Sequence, residues 1–328
     1  MKYKHFLYIA PLIAFLFSCE KVIEFKGDGV KTKLVLNSIL TPDSVVKIQL
    51  TESRFFLDNS RLFNKIDQAE VTLWKDGEQI ELLQPTGEGY YTGAYTIREG
   101  DNLRITASCP GFDPVECETQ IVSATPIIAV DTANTRVEIR EAIIGESDIN
   151  GNWIATDTID YLESVEGDIA ITFKDTAGIA NYYVIRLDLH ICYESGDVYD
   201  WPLYYTSDDM VFKTNNELSF NDDDDYTSAR SSHLFGDDLF DGREYRLKIK
   251  IYGYYGYYPY KESKITSTAI QVTLQSLSPS YYLYQKTREA SYDSEDFFTE
   301  PVQIYSNIKG GIGIFCNYSN SNYRIPLN

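Results

Sequence analysis

The thirteen residues Asn181–Tyr193, NYYVIRLDLHICY, alternate apolar and polar side chains over most of their length. Tyr183, Ile185, Leu187, Leu189 and Ile191 share one face, and Arg186, Asp188 and His190 share the other. Successive side chains of an extended chain point to opposite sides, so a period of two marks a half-buried β-strand. A helix would scatter the same residues around its axis. The stretch therefore commits its surroundings to a sheet with one dry face.

The same pattern recurs along the chain. Val46, Ile48 and Leu50 alternate with Lys47, Gln49 and Thr51. Ile169, Ile171 and Phe173 line one face of DIAITF, and Tyr245, Leu247, Ile249 and Ile251 alternate with Arg246, Lys248 and Lys250 in EYRLKIKIY. AEVTLWKDGEQIELL reads as a hairpin, with Val71 and Leu73 on one arm, Ile80 and Leu82 on the other, and Asp76-Gly77 at the turn. About seven short strands between Leu34 and Ile121 predict an immunoglobulin-like β-sandwich. Ser123-Ala124-Thr125-Pro126 closes that pattern. Residues 131 to 166 are polar and acidic with weak alternation and no clear element. One helix is predicted from Ser278-Pro279, an N-cap followed by proline at the first helical position. The fold class is thus mostly all-β. An N-terminal immunoglobulin-like sandwich over 33–123 precedes a larger β-rich domain over 124–328 with a helix near 279–290, a division that suits 328 residues.

The N-terminus carries a different signal. An apolar run from Phe6 to Phe17, interrupted by Pro11, is shorter than the roughly 20 residues of a spanning helix. Lys2 and Lys4 precede it, and Leu16-Phe17-Ser18-Cys19 follows at its end. This arrangement is that of an export signal, and the last four residues resemble the lipobox of bacterial lipoproteins. Residues 1–18 then form a lipoprotein signal peptide, Cys19 accepts diacyl and N-acyl chains such as palmitate, and 19–32 form the lipidated N-terminus and tether. The competing reading is an ordinary signal peptide with an incidental cysteine.

Charge narrows the partners. The formal net charge is -20, and removing residues 1–18 takes away two lysines and no acid. Such a surface repels phosphate backbones, which excludes nucleic acid as a natural partner, and it gives anionic headgroups nothing to attract. Attachment to a membrane is expected to rest on the lipid at Cys19.

Four cysteines remain beyond Cys19: Cys109, Cys117, Cys192 and Cys316. Cys109 and Cys117 flank the turn Pro110–Pro114, and a Cys109–Cys117 disulfide is expected if they oppose each other across the hairpin. The alternative is two small buried hydrophobes. Whether Cys192 and Cys316 meet is open.

Catalytic chemistry has little to build on. His5 leaves with the signal, only His190 and His233 remain, and no zinc spacing, phosphate loop or nucleophile elbow is present. Arg186, Asp188 and His190 read as a solvated strand face. Asp222, Asp223, Asp224 and Asp225 raise a calcium hypothesis, since calcium takes six to eight oxygen ligands, against the plainer reading of a solvated acidic loop. In IYGYYGYYPYKES, Tyr254, Tyr255, Tyr257 and Tyr258 are candidate contacts for a ligand or partner, because tyrosine joins a flat apolar face to a polar tip. The other reading has them covering the domain's own core and edge.

Four segments carry a resemblance. FTEPVQIYSNIKGGIGIF (298–315), ITFKDTAGIANYYVIRL (171–187), LFGDDLFDGREYRLKI (234–249) and LVLNSILTPDSVVKIQLTESRFFLD (34–58) are similar, in order, to segments of the domain of unknown function 4249 family of Bacteroidota lipoproteins. The resemblance implies an outer-membrane lipoprotein associated with TonB-dependent, SusC-like transporters. The expected function is a non-enzymatic binding or accessory subunit without a resident cofactor. A structural or adhesive envelope protein is the alternative, and a hydrolase the third. Cys316 and Asn317 stand where the family commonly has small residues.

Overall fold

The computed structural model describes residues 31–54, 63–213, 234–257, 264–293 and 302–327, with the backbone alone at 157, 213, 254–257 and 292–293. Strands dominate, as the alternation requires. The first eight are β1 (Leu34–Leu40), β2 (Val45–Glu52), β3 (Glu70–Lys75), β4 (Glu78–Leu82), β5 (Gln84–Gly87), β6 (Tyr90–Thr96), β7 (Asn102–Ser108) and β8 (Val115–Gln120). They form two layers, β1-β2-β6-β5 and β4-β3-β7-β8. That is the strand order of an immunoglobulin sandwich with one extra strand at the edge of the second sheet. The Asp76-Gly77 turn has positive φ at both residues, as a tight two-residue hairpin demands. Ile80 and Leu82 are nevertheless exposed, while Leu83 is buried. A bulge between Leu73 and Trp74 shifts the β3–β4 register by one, and one residue of slip exchanges the faces of a strand.

The second half contains β9 (Ile127–Ser147), β10 (Trp153–Lys174), β11 (Tyr182–Tyr193), β12 (Val198–Pro202), β13 (Tyr205–Thr206), α1 (Met210–Lys213), β14 (Leu234–Gly236), β15 (Glu244–Tyr257), β16 (Ile265–Leu277), α2 (Pro279–Asp293) and β17 (Ile312–Leu327). One layer runs β12-β11-β16-β17, with β14 also paired to β11, and the other β13-β15-β10-β9. Phe173, Tyr183, Leu189, Phe235, Leu247, Ile249 and Val272 fill the space between them. The apolar faces read from Ile169–Phe173, Tyr183–Ile191 and Leu247–Ile251 all point into this core. The α2 helix begins at Pro279, and the Ser278 hydroxyl accepts from the Tyr281 N–H, the capping bond expected there.

The two sandwiches are not separate along the chain. β17 pairs antiparallel with β16 through Tyr318–Leu327 and parallel with β1 through Ile312–Asn317. One strand therefore belongs to both halves, and it joins one layer of each into a single sheet. Ile308 and Phe315 sit in the N-terminal core, so the first sandwich is not built from residues 33–123 alone. Sequence composition changes near residue 123, but the missing edge partner of β1 arrives from the other end of the chain.

Glycine makes that approach possible. A Cβ on Gly313 would run into the Leu36 carbonyl and one on Gly311 into the Leu34 carbonyl, and Gly313 has φ +119°. On the opposite side of the shared strand, Ile314 and Cys316 are covered by Tyr281 and Tyr282 of α2. The linker between halves is stitched down: Thr125 N–H donates to Ser276 Oγ (3.0 Å) and Ile127 N–H to Ser321 Oγ (2.9 Å).

Candidate functional site

The four similar segments meet in pairs. The segment 34–58 supplies β1, which lies against β17 in the C-terminal segment. The other two are joined by a carboxylate latch. Asp175, in the β10–β11 turn, accepts from the Tyr183 hydroxyl (2.5 Å) and the Gly242 N–H (2.8 Å). Asp237 accepts from the Asn181 N–H (2.9 Å), and Asp241 from the Gly178 N–H (2.8 Å). Carboxylate oxygens of Asp175, Asp237 and Asp241 come within 4.8 Å of one another, and the first two residues are buried. Burial, with Asp175 nearby, pushes the Asp237 carboxyl above its ordinary range despite the Asn181 bonds. Burial and the Asp175 bond push the Tyr183 phenol up as well. Each acid already receives donors from the opposing loop, so the arrangement fastens two turns together.

A groove of about 890 Å³ lies on the outer face of the smaller sheet of the second half. The outward residues Arg246, Lys248 and Lys250 form one wall, as their alternation foretold. Lys250 stands opposite Asp168 and Thr206, and Lys248 opposite Ala170, whose other neighbour is Asp131. Ala133 and Ala170 are the short side chains that leave the hollow between longer ones. Asp131 is bound by Arg246 (2.8 Å) and Asp168 by the Asn134 amide (3.1 Å). The rim is held by Ser207, which donates to the Lys248 carbonyl (2.6 Å), and by Asp209, which accepts from the Tyr245 hydroxyl (2.5 Å). Charged groups of both signs and hydroxyl groups stand around the hollow, which gives a polar ligand donors and acceptors to bind. Asp131 and Thr132 come from the stretch whose alternation was weakest, and only the basic strand hinted at this face.

The remaining candidates separate. Cys19 and the acids Asp222, Asp223, Asp224 and Asp225 lie outside the described residues, as does Tyr258. The backbone of Tyr254, Tyr255 and Tyr257 belongs to β15, which stays paired with β10 as far as Leu162, so this part is strand and not loop; the side chains are outside the described set. Arg186, Asp188 and His190 share a face but go to different partners, with Arg186 donating to Gln275 (2.7 Å) and His190 Nδ1 2.7 Å from Asp200.

The expected Cys109–Cys117 bridge is not formed. All four cysteines among the described residues are free. The β7–β8 register places Cys117 opposite Ile105, and Ala107 opposite Val115, so Cys109 lies past the last paired residue of β7. In this register the position opposite Cys117 is Ile105, four residues before Cys109 on the chain. Cys117 behaves instead as a small buried hydrophobe, its thiol pushed up by burial.

No described helix is long and apolar enough to cross a membrane. The fold and groove define a class: an all-β protein of two sandwiches fused through a shared strand, with a polar surface groove and a carboxylate latch. The chain belongs to the family described as domain of unknown function (DUF4249), whose model matches residues 20–324. No curated protein matches it.

Proposed function

We propose that the protein is an outer-membrane-anchored lipoprotein and a non-enzymatic binding or accessory subunit for a TonB-dependent transporter. The observation that carries this reading is the position of Cys19. It ends the apolar export run, and the family match begins at the next residue, 20. A cut before Cys19 would therefore leave the whole matched region intact on a lipid, with a short tether before β1. Acyl chains contribute roughly 0.8 kcal/mol per buried methylene, so several of them hold a chain without a spanning helix. The polar groove supports a binding role. The transporter as partner comes from the family resemblance.

Two measurements test the proposal. Cys19→Ala should release the chain from the membrane fraction and remove the mass of the acyl chains from the mature protein. Tagged wild-type protein drawn from outer membranes should bring a large β-barrel with it. Membrane retention of the alanine variant would remove the anchor, and absence of the barrel would remove the transporter role.

A further inference from the structure

Among the described residues, β9 and β10 outrun the sheet that carries them. β15 accompanies β10 only to Leu162, and beyond that point the two strands pair with each other alone among the described residues. The root of this ribbon is clamped by Lys264, whose Nζ lies 2.7 Å from Glu141 and 3.0 Å from Asp160. From the Ala142–Ile159 pair to Asp148 the ribbon extends six residues, about 20 Å at roughly 3.4 Å per residue. Its turn is pre-formed: Asp148 Oδ1 accepts from the N–H groups of Asn150 and Asn152, both at 2.8 Å. Ile149 is thereby held at the apex, 101% exposed.

The end of the arm has an unusual chemistry. Ile143 (64% exposed) and Trp153 (57%) lie on one face and Ile154 (53%) on the other. The Trp153 ring lies across Gly145, where no side chain could fit. Between 141 and 160 there are five acids, Glu141, Glu146, Asp148, Asp157 and Asp160, and no lysine or arginine. A two-stranded ribbon alone is marginally stable in water, and apolar groups exposed on both faces and at the apex suit insertion into a cleft more than contact with a flat surface. The acids decide what kind of cleft. An anionic bilayer surface would repel them, and an isologous contact with a second copy would set the same carboxylates against each other.

We infer that the arm is a plug for a partner protein, which receives Ile149, Trp153 and Ile154 in an apolar cleft rimmed by Lys and Arg. An apolar centre inside a polar rim is ordinary interface anatomy, and beyond the Lys264 clamp the charged residues of the ribbon are all acids. The inference supplies a partner chemistry for the accessory-subunit reading, on which it rests only for the compartment where the partner is sought.

Full-length protein carrying the photo-crosslinker p-benzoylphenylalanine at position 149 tests this in its own cells, with position 86, exposed on the N-terminal sandwich, as control. Irradiation is expected to give one protein adduct from 149 and none from 86. Mass spectrometry should map it to an apolar surface flanked by Lys and Arg. Glu146→Lys, a change at an exposed position outside the turn, should lower the yield about tenfold, as loss of one favourable charge contact would. Trp153→Asp should abolish it. An adduct to a second copy of the chain, to lipid alone, to a surface without basic residues, or no adduct at all would overturn the inference, as would a yield indifferent to Glu146→Lys. Membrane retention of the wild-type chain is scored in the same cells. A retained chain without an adduct removes the arm alone, whereas a chain that is not retained removes the anchored reading.

Discussion

The backbone N–H of Asn317 donates to the hydroxyl of Ser278 at 3.1 Å, and the Ser278 N–H donates to the Asn317 carbonyl at 2.9 Å. This exchange joins the shared strand β17 to the cap of α2. The Asn317 side chain reaches the other way, accepting from the Val122 N–H (2.9 Å) and donating to Thr119 Oγ1 and the Gln120 carbonyl (2.8 Å each). One fully buried residue thus ties the last strand of the first sandwich, the inter-domain linker and the helix of the second.

Asn317→Leu is therefore expected to cost about 2–4 kcal/mol, because it leaves the half-buried Val122 N–H without its acceptor and puts an apolar group into a fully buried polar site. Urea unfolding followed separately in the two halves should show both losing stability together. Ser278→Ala removes both the cap and the acceptor of the buried Asn317 N–H, and should cost about 2 kcal/mol.

Gly313→Val should separate β17 from β1. The left-handed φ and the Leu36 carbonyl both oppose a branched side chain, and the expected loss is on the order of 3 kcal/mol or more. Hydrogen exchange should accelerate first in β1 and β2 while β10, β11 and β15 keep their protection. Uniform protection in the variant would show that the parallel pairing contributes little.

Acid should act oppositely on two buried carboxylates. Asp101 is desolvated, yet bonds from Lys75, the Arg98 N–H and Tyr95 hold its carboxyl below the usual range. Its contribution is present at neutral pH and lost as pH falls through that lowered value. Asp237 is raised, so its charged form costs stability above the ordinary carboxylate range. Asp237→Asn keeps an acceptor for Asn181 and should raise the melting temperature at pH 7, with the gain vanishing in acid. Asp101→Asn should lower it at pH 7 by an amount that also shrinks in acid. Melting temperature against pH checks both signs.

Thiol labelling should follow burial. Cys109 is partly exposed and should alkylate in the native protein, whereas Cys117 and Cys316 should not. Burial pushes the Cys316 thiol up to about 12, leaving almost no thiolate at neutral pH. After unfolding without reductant, Cys109, Cys117, Cys192 and Cys316 should all label; a residual pair would show a bridge.

Much of the strand framework was legible because burying one face of a sheet imposes a period of two. Tyr183–Ile191 and Leu247–Ile251 could be assigned to a core from their order alone, and Ser278-Pro279 announced its helix through capping chemistry. The stretch 131–166 resisted in part because beyond the Ala142–Ile159 pair β9 and β10 form a ribbon with neither face buried, so no dry face imposes a period of two there. The groove was legible only in its basic strand. Its hollow depends on Ala133 and Ala170 standing beside Lys248 and Lys250, neighbours across a sheet and not along the chain.

By itself the sequence determined the local terms: strand faces, the Asp76-Gly77 turn and the helix cap. Tertiary structure alone decided that β17 serves both sandwiches, that Asp175, Asp237 and Asp241 converge from two loops, and that Cys109 and Cys117 miss each other. The reason is common to all three. Periodicity records which way a side chain points, but partner and register are set by backbone hydrogen bonding between segments far apart in the chain, such as those of Ile39 and Cys316, and a backbone hydrogen bond leaves no mark on residue type.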